Sequence, residues 1–277
     1  MTVAVEPASV PPQPGRSRQR VAVWARQARL ASAVLAGTGI VVQICYPLTS
    51  GRGAVLVTVA SVLLLAGAAL THAFSVARVW WVPLGVLVAA AGVGWISEAL
   101  GVRTGVPFGS YEYTGLLGPK VLDVPVLVPL AWTMLAYPCL LAGRRLARGS
   151  RWGTAVLGGL CLAAWDLFLD PQMVELGAWE WRFPTPSLPG IDGIPLTNFA
   201  GWIVVALVMI AVLDRVVPPV RGQGSEVVPA AVLAWTWLGS SVGNLVFFGR
   251  PWVALWGFVV MGLVAGPYLW HLLRARP

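Results

Sequence analysis

Residues 153–170 read GTAVLGGLCLAAWDLFLD, an apolar run long enough to cross a bilayer that ends in two carboxylates, Asp166 and Asp170. Outward from it, comparable runs lie near 30–48, 54–76, 79–100, 124–143, 198–217, 228–248 and 252–272. The spacing predicts an all-α, polytopic membrane protein of about eight transmembrane helices. Composition agrees: of 277 residues, 57% are hydrophobic and 11% charged, and the mean hydropathy is +0.77, which excludes an ordinary soluble domain. The net charge of +8 does not point to nucleic acid, because the basic residues are scattered between apolar runs without interleaved aromatics.

Residues 1–28, Pro- and Arg-rich at their start, are expected to be a disordered cytoplasmic tail, with 29–273 forming one transmembrane domain. With both termini inside, fourteen Lys and Arg residues fall on cytoplasmic segments and five, Arg52, Arg103, Lys120, Arg182 and Arg250, on outer loops. That bias predicts a multi-pass plasma-membrane protein with cytoplasmic N- and C-termini, and places the long loops 101–123 and 171–197 outside. Trp residues near span ends, among them Trp80, Trp152, Trp179, Trp181 and Trp252, have interfacial anchoring as their ordinary explanation. Cys45, Cys139 and Cys161 read as core thiols, since no paired spacing suggests disulfides or a metal knuckle. His72 and His271 lack acidic or thiol neighbours at ligand spacing, so no metal site is expected.

Setting Glu98 against Asp166, an offset of 68, also brings Tyr111-Glu112-Tyr113 onto Trp179-Glu180-Trp181. Trp132 stands seven residues past Pro125, and Trp202 seven past Pro195. The match predicts a parallel internal repeat of helix-loop-helix units.

A carboxyl inside a bilayer costs several kcal/mol unless it is paired, protonated or faces a polar cavity, which makes function the default reading for Glu98, Asp166 and Asp170. The plain alternative is pairing with an Arg such as Arg103 or Arg182. Asp166 and Asp170 share one helix face, and Pro171 is expected to put Asp170 near the helix end. Asn198 and Asn244 are expected to hydrogen-bond between helices.

The strings WISEALGVRTGVPFGSYEYTGLLGPK (95–120), DVPVLVPLAW (123–132), AAWDLFLDPQMVELGAWEW (163–181) and GIPLTNFAGW (193–202) resemble the membrane-bound carotenoid biosynthesis family, which includes CruF-type carotenoid 1,2-hydratases and bisanhydrobacterioruberin hydratase. The resemblance implies addition of water across the terminal isoprenoid double bond of an acyclic carotenoid end, giving a tertiary 1-hydroxy group. It implies no cofactor. The expected partners are a carotenoid in the lipid bilayer and other membrane enzymes of that pathway, with no role for nucleic acid.

Chemistry assigns roles that the resemblance does not. Hydrating such an alkene needs an acid, stabilisation of a tertiary cation and a positioned water. An apolar surround favours the protonated carboxyl, so Asp166 is the expected acid, with Asp170 or Glu98 sharing the proton or orienting water. Trp95, Trp132, Trp165, Tyr111 and Tyr113 are candidates to line the cation site, and Glu112, Trp179 and Asn198 complete the substrate-contact set; aromatic packing is the alternative for each ring. Two rival functions stay open. DLFLD at 166–170 has the DxxxD spacing of a prenyltransferase using magnesium diphosphate, though a second aspartate-rich motif is missing. A repeat also suits a carotenoid transporter or partner protein.

Overall fold

A computed structural model describes residues 16–219 and 226–274. Among them, eight helices are long and apolar enough to span a membrane. Backbone groups in hydrocarbon have no water to bond, so each apolar run closes its own hydrogen bonds as a helix. The helices are α1 (Arg16–Ile44), α2 (Arg52–Ala77), α3 (Trp81–Thr104), α4 (Leu127–Ala147), α5 (Arg151–Leu176), α6 (Leu196–Val216), α7 (Val227–Phe247) and α8 (Pro251–Arg274). Helix α7 passes through π-helical turns at Trp235–Gly239 and Gly243–Phe247.

Several boundaries differ from expectation. Helix α1 begins at Arg16, so the expected tail is helical from there, because good helix formers follow Pro14 without a further proline; residues 1–15 lie outside the described residues. Helix α5 does not stop near Asp170. It carries Pro171 in its interior and runs to Leu176, ending at Gly177 with φ 76. A proline forfeits one backbone bond, and packed neighbours at membrane depth tolerate that loss. Cys139 and Cys161 are buried, but Cys45 is exposed at the end of α1, a helix that lies on the edge of the bundle with few buried residues.

At one end of the bundle the two long loops form three short strand pairs, and this end is called the loop face below. Strand β1 (Tyr111–Tyr113) pairs antiparallel with β4 (Trp179–Trp181), with Glu112 opposite Glu180. Strands β2 (Lys120–Val121) and β3 (Val124–Pro125), and β5 (Ser187–Leu188) and β6 (Ile191–Pro195), form local hairpins within each loop. Antiparallel pairing of the two aromatic-Glu-aromatic triplets fits a twofold relation between the repeats, with the equivalent Glu112 and Glu180 opposite each other at its centre. Trp132 and Trp202 obey the same rule, stacked with centroids 3.9 Å apart and planes 20° off parallel. Trp179 and Trp181, which have the span-end position of interfacial anchors, are turned inward and buried by this pairing.

At the opposite end, Arg144 donates to Asp214 Oδ1 at 2.6 Å and to the Val217 and Pro218 carbonyls. Arg145 grips Glu226 with two 3.0 Å bonds, and Tyr268 donates to the same carboxylate at 3.2 Å. These bonds tie α4, α6, α7 and α8 together. His72 sits in the same region, its Nδ1 3.0 Å from the Tyr137 hydroxyl.

Helices α4 and α5 approach through glycine. A β-carbon on Gly143 would lie 2.6 Å from the Thr154 carbonyl oxygen and 2.9 Å from the Gly158 nitrogen. Both obstacles are backbone, which cannot rotate away. Gly143→Leu is therefore expected to lower stability by about 1–3 kcal/mol, seen as a lower thermal midpoint in detergent. An unchanged midpoint would contradict this close approach.

Candidate active site

Glu98 is the organising group. Helix α3 places Gly94, Glu98 and Gly101 on one face, at spacings of four and three residues. The glycines leave room beside the acid: a β-carbon at Gly94 would meet Trp132 at 2.7 Å, and one at Gly101 would meet the Tyr111 hydroxyl at 3.0 Å. Through those gaps Tyr111 donates to Glu98 Oε2 at 2.5 Å, Tyr113 donates to the same oxygen at 2.8 Å, and Trp132 Nε1 donates to Oε1 at 3.1 Å. Neither Arg103 nor Arg182 reaches the acid; they lie loosely against Asp123 and Glu112 on the surface. Burial, and next the Glu98 carboxyl, push the Tyr111 and Tyr113 phenols well above their ordinary pKa. Both remain protonated donors throughout the physiological range.

Asp166 and Asp170 are buried on the inner face of α5. Asn198, at the start of α6, donates to Asp166 Oδ2 at 2.8 Å and also to Asp170 Oδ2. One amide nitrogen thus touches both carboxyls. Trp179 lies beside Asp170. Asp166 Oδ1 is buried without a protein partner.

Measured from helix ends, the correspondence between repeats shifts. Glu98 stands seven residues before Gly105, the left-handed residue ending α3, and Asp170 seven before Gly177, the left-handed residue ending α5. Tyr111 serves Glu98 while its repeat equivalent Trp179 lies against Asp170. Counted from the helix ends, the counterpart of Glu98 is Asp170, and Asp166 lies one turn earlier in α5. The offset of 68 hid this, because α5 is longer past its acid and its link to the strand correspondingly shorter.

A cavity of about 800 Å³ opens over these groups. Glu98, Asp170 and Asn198 line it, together with Tyr111, Tyr113, Trp132, Trp165 and Trp179. Asp166 is not among the lining residues and sits behind Asp170. Trp95 and Glu112 are also away from it: Trp95 donates to the Val121 carbonyl at 3.2 Å, and Glu112 is exposed on the outer side of β1. Aromatic lining residues outside the expected set include Phe108, Trp181 and Trp202, close to the acids, and Trp235 of α7. Trp202 stacks on Trp132 and meets Trp165 edge-on at 5.8 Å; its place in the repeat was the available signal. Phe108 and Trp181 are joined by the Trp181 Nε1 bond to the Phe108 carbonyl at 2.9 Å, a contact between loops with no trace in local spacing. The wall is aromatic and apolar, with acids at one region, which suits an apolar substrate with one reacting end.

Comparison with known proteins agrees in character. Bisanhydrobacterioruberin hydratase from Haloarcula japonica is 34% identical over 123 residues, 42% of this chain, and the matched part spans 40% of that protein's length. No solved structure matches the chain significantly. Residues 58–264, most of the chain and all of the repeat with its three acids, match the family described as carotenoid biosynthesis protein, and the protein belongs to that family.

Proposed function

We propose that the protein hydrates the terminal isoprenoid double bond of an acyclic carotenoid end, giving a tertiary alcohol. The observation that carries this reading is the cavity within the bundle onto which two differently supported carboxyls, Glu98 and Asp170, both open. Such a pair supplies an acid and a base on one apolar surface. The hydratase activity of the Haloarcula japonica relative supports the reaction class.

In this mechanism the Asp166–Asp170 pair holds one proton, and Asp170, the member facing the cavity, delivers it to the less substituted alkene carbon. The tertiary cation lies against the rings of Trp165, Trp132 and Trp202, each aromatic face contributing on the order of 0.5–2 kcal/mol. Glu98 already has its oxygens supplied with donors, and Oε1, with a single donor, keeps a lone pair for a water. That water attacks the cation, and its surplus proton passes to Glu98 and back to the aspartate pair. The sum is alkene plus water giving alcohol. Magnesium diphosphate chemistry at DLFLD fits less well, because the Asn198 N–H group occupies the position between the two carboxyls where a cation would bind.

The test is pigment analysis in a bacterium making acyclic carotenoids. Wild type is expected to yield a product heavier by one water. Asp170→Asn should lower the rate by about a hundredfold or more, while Asp166→Asn, one step removed, should lose less and shift the pH profile. Full activity in Asp170→Asn at normal protein levels would remove Asp170 as the acid.

The charge bias further supports a plasma-membrane orientation with the loop face outside. In a Cys45→Ser background, Arg182→Cys should react with an impermeant thiol reagent on intact cells and Arg148→Cys should not; the reverse pattern would invert the topology.

A further inference from the structure

The cavity that holds the acids is closed on the side of the repeat. Its walls there, Trp132, Trp165, Phe168 and Trp202, are buried. Strands β1 and β4 roof it with Tyr111, Tyr113, Trp179 and Trp181, which are buried too. Entry through that roof would break the bonds that Tyr111 and Tyr113 give to Glu98. Among the described lining residues, those that are exposed all belong to α1 or α7: Ile44, Ala231, Leu238, Val242 and Phe247. Ile44, Leu238, Val242 and Phe247 are 54%, 45%, 53% and 62% exposed, so the cavity opens between these two helices.

Two contacts border the gap. Gln43 Oε1 of α1 accepts from Trp235 Nε1 of α7 at 2.7 Å, and the Tyr46 and Phe248 rings pack edge to face with centroids 5.9 Å apart. Leu238, Val242 and Phe247 stand between those contacts along α7, and Ile44 between them along the end of α1. Both helices are membrane spans, so a rim of leucine, valine, isoleucine and phenylalanine faces hydrocarbon. An independent feature marks the same stretch: the π-helical turns of α7, Trp235–Gly239 and Gly243–Phe247, lie along it. Such turns are frequent at functional sites. Gly239 lets the Trp235 ring lie close over the helix, since a β-carbon there would stand 2.8 Å from it.

We infer that the gap between α1 and α7 is a lateral groove for the polyene of the substrate, whose reacting end lies at the acids while its remaining length passes out into the lipid. The gap is continuous with the acid-lined cavity and apolar where it meets the bilayer. A long hydrocarbon dissolved in the membrane reaches it without exposing its surface to water. Leu238 and Val242 therefore touch the chain and not the double bond, and they govern how tightly a long substrate is held. The inference rests on the hydratase reading for the nature of the occupant.

The test measures hydration by the full chain in lipid nanodiscs, using two substrates with the same terminal double bond. One is a full-length acyclic polyene; the other is a hydrocarbon only three isoprene units long, short enough to lie inside the cavity of about 800 Å³. Val242→Trp and Leu238→Trp fill the gap from exposed positions, which leaves folding intact, as thermal unfolding checks. Each is expected to raise KM for the polyene about tenfold and to keep the short substrate within about twofold of wild type. Leu263→Trp, at an exposed position of α8 away from the cavity, should change neither. An unchanged KM for the polyene in both gap variants would overturn the groove, and so would an equal loss on the two substrates, which marks damage at the acids. A wild-type dimer that Val242→Trp splits into monomers, seen by native mass spectrometry, would put a second copy on this face and overturn it too. Should wild type hydrate neither substrate, the hydratase reading fails, and the Kd for the polyene from tryptophan fluorescence quenching tests the groove separately. A Kd raised in the two gap variants and not in Leu263→Trp supports it; an equal Kd in all three overturns it.

Discussion

A carboxyl buried at membrane depth must be satisfied from within the protein, and the loop face is built around meeting that demand at Glu98. Removing an ionised group from water costs several kcal/mol, and hydrogen bonds to a charged group return about 1.5–3 kcal/mol each. Three bonds are on the scale of the cost. Supplying them requires Tyr111 and Tyr113 to come back from the loop and Trp132 to lean in from α4. The glycines at 94 and 101 make those approaches possible. The course of the loop through Tyr111 and Tyr113 is thereby tied to this acid.

The repeat accounts for much of the remaining loop face, and its two halves differ around the acids. The twofold relation sets Trp132 on Trp202 and the first triplet against the second. Where the first repeat presents two phenols to one acid, the second turns one indole, Trp181, to the Phe108 carbonyl and adds a second acid. Asn198 has no amide equivalent in the first repeat, where Val128 stands seventy residues earlier. Two carboxyls on one scaffold, Glu98 and Asp170, are thereby given different surroundings on a single apolar chamber.

The two ends of the bundle divide the work. Ion pairs from Arg144 and Arg145 fasten α4, α6, α7 and α8 away from the loop face, and none of these residues lines the cavity. The chamber lies instead among the repeat helices, α1, α2 and the π-turned stretch of α7. π-Turns displace side chains from regular α-helical positions, and here they bring Trp235 and Asn244 to the wall.

Hydropathy and its period were legible without coordinates because they reflect a solvent constraint that acts on each segment alone: every apolar run must be a helix, and every acid within one needs a reason. Glu98, Asp166 and Asp170 were visible on those grounds, as was the repeat. What each acid touches was not, since Tyr111 is thirteen residues from Glu98 and Asn198 thirty-two from Asp166. Trp95 stands three residues from Glu98 yet points to the Val121 carbonyl, because three residues along a helix fix a position on its surface and not the direction in which a long side chain finds a partner. Proline at 171 reads locally as a stop, while the packed bundle carries the helix past it and so makes Asp170, not Asp166, the acid that meets the cavity. The sequence by itself determined the membrane, the helices and the suspects. Only tertiary structure decided which carboxyl faces open space, because that depends on where helices end relative to one another, a quantity no single segment contains.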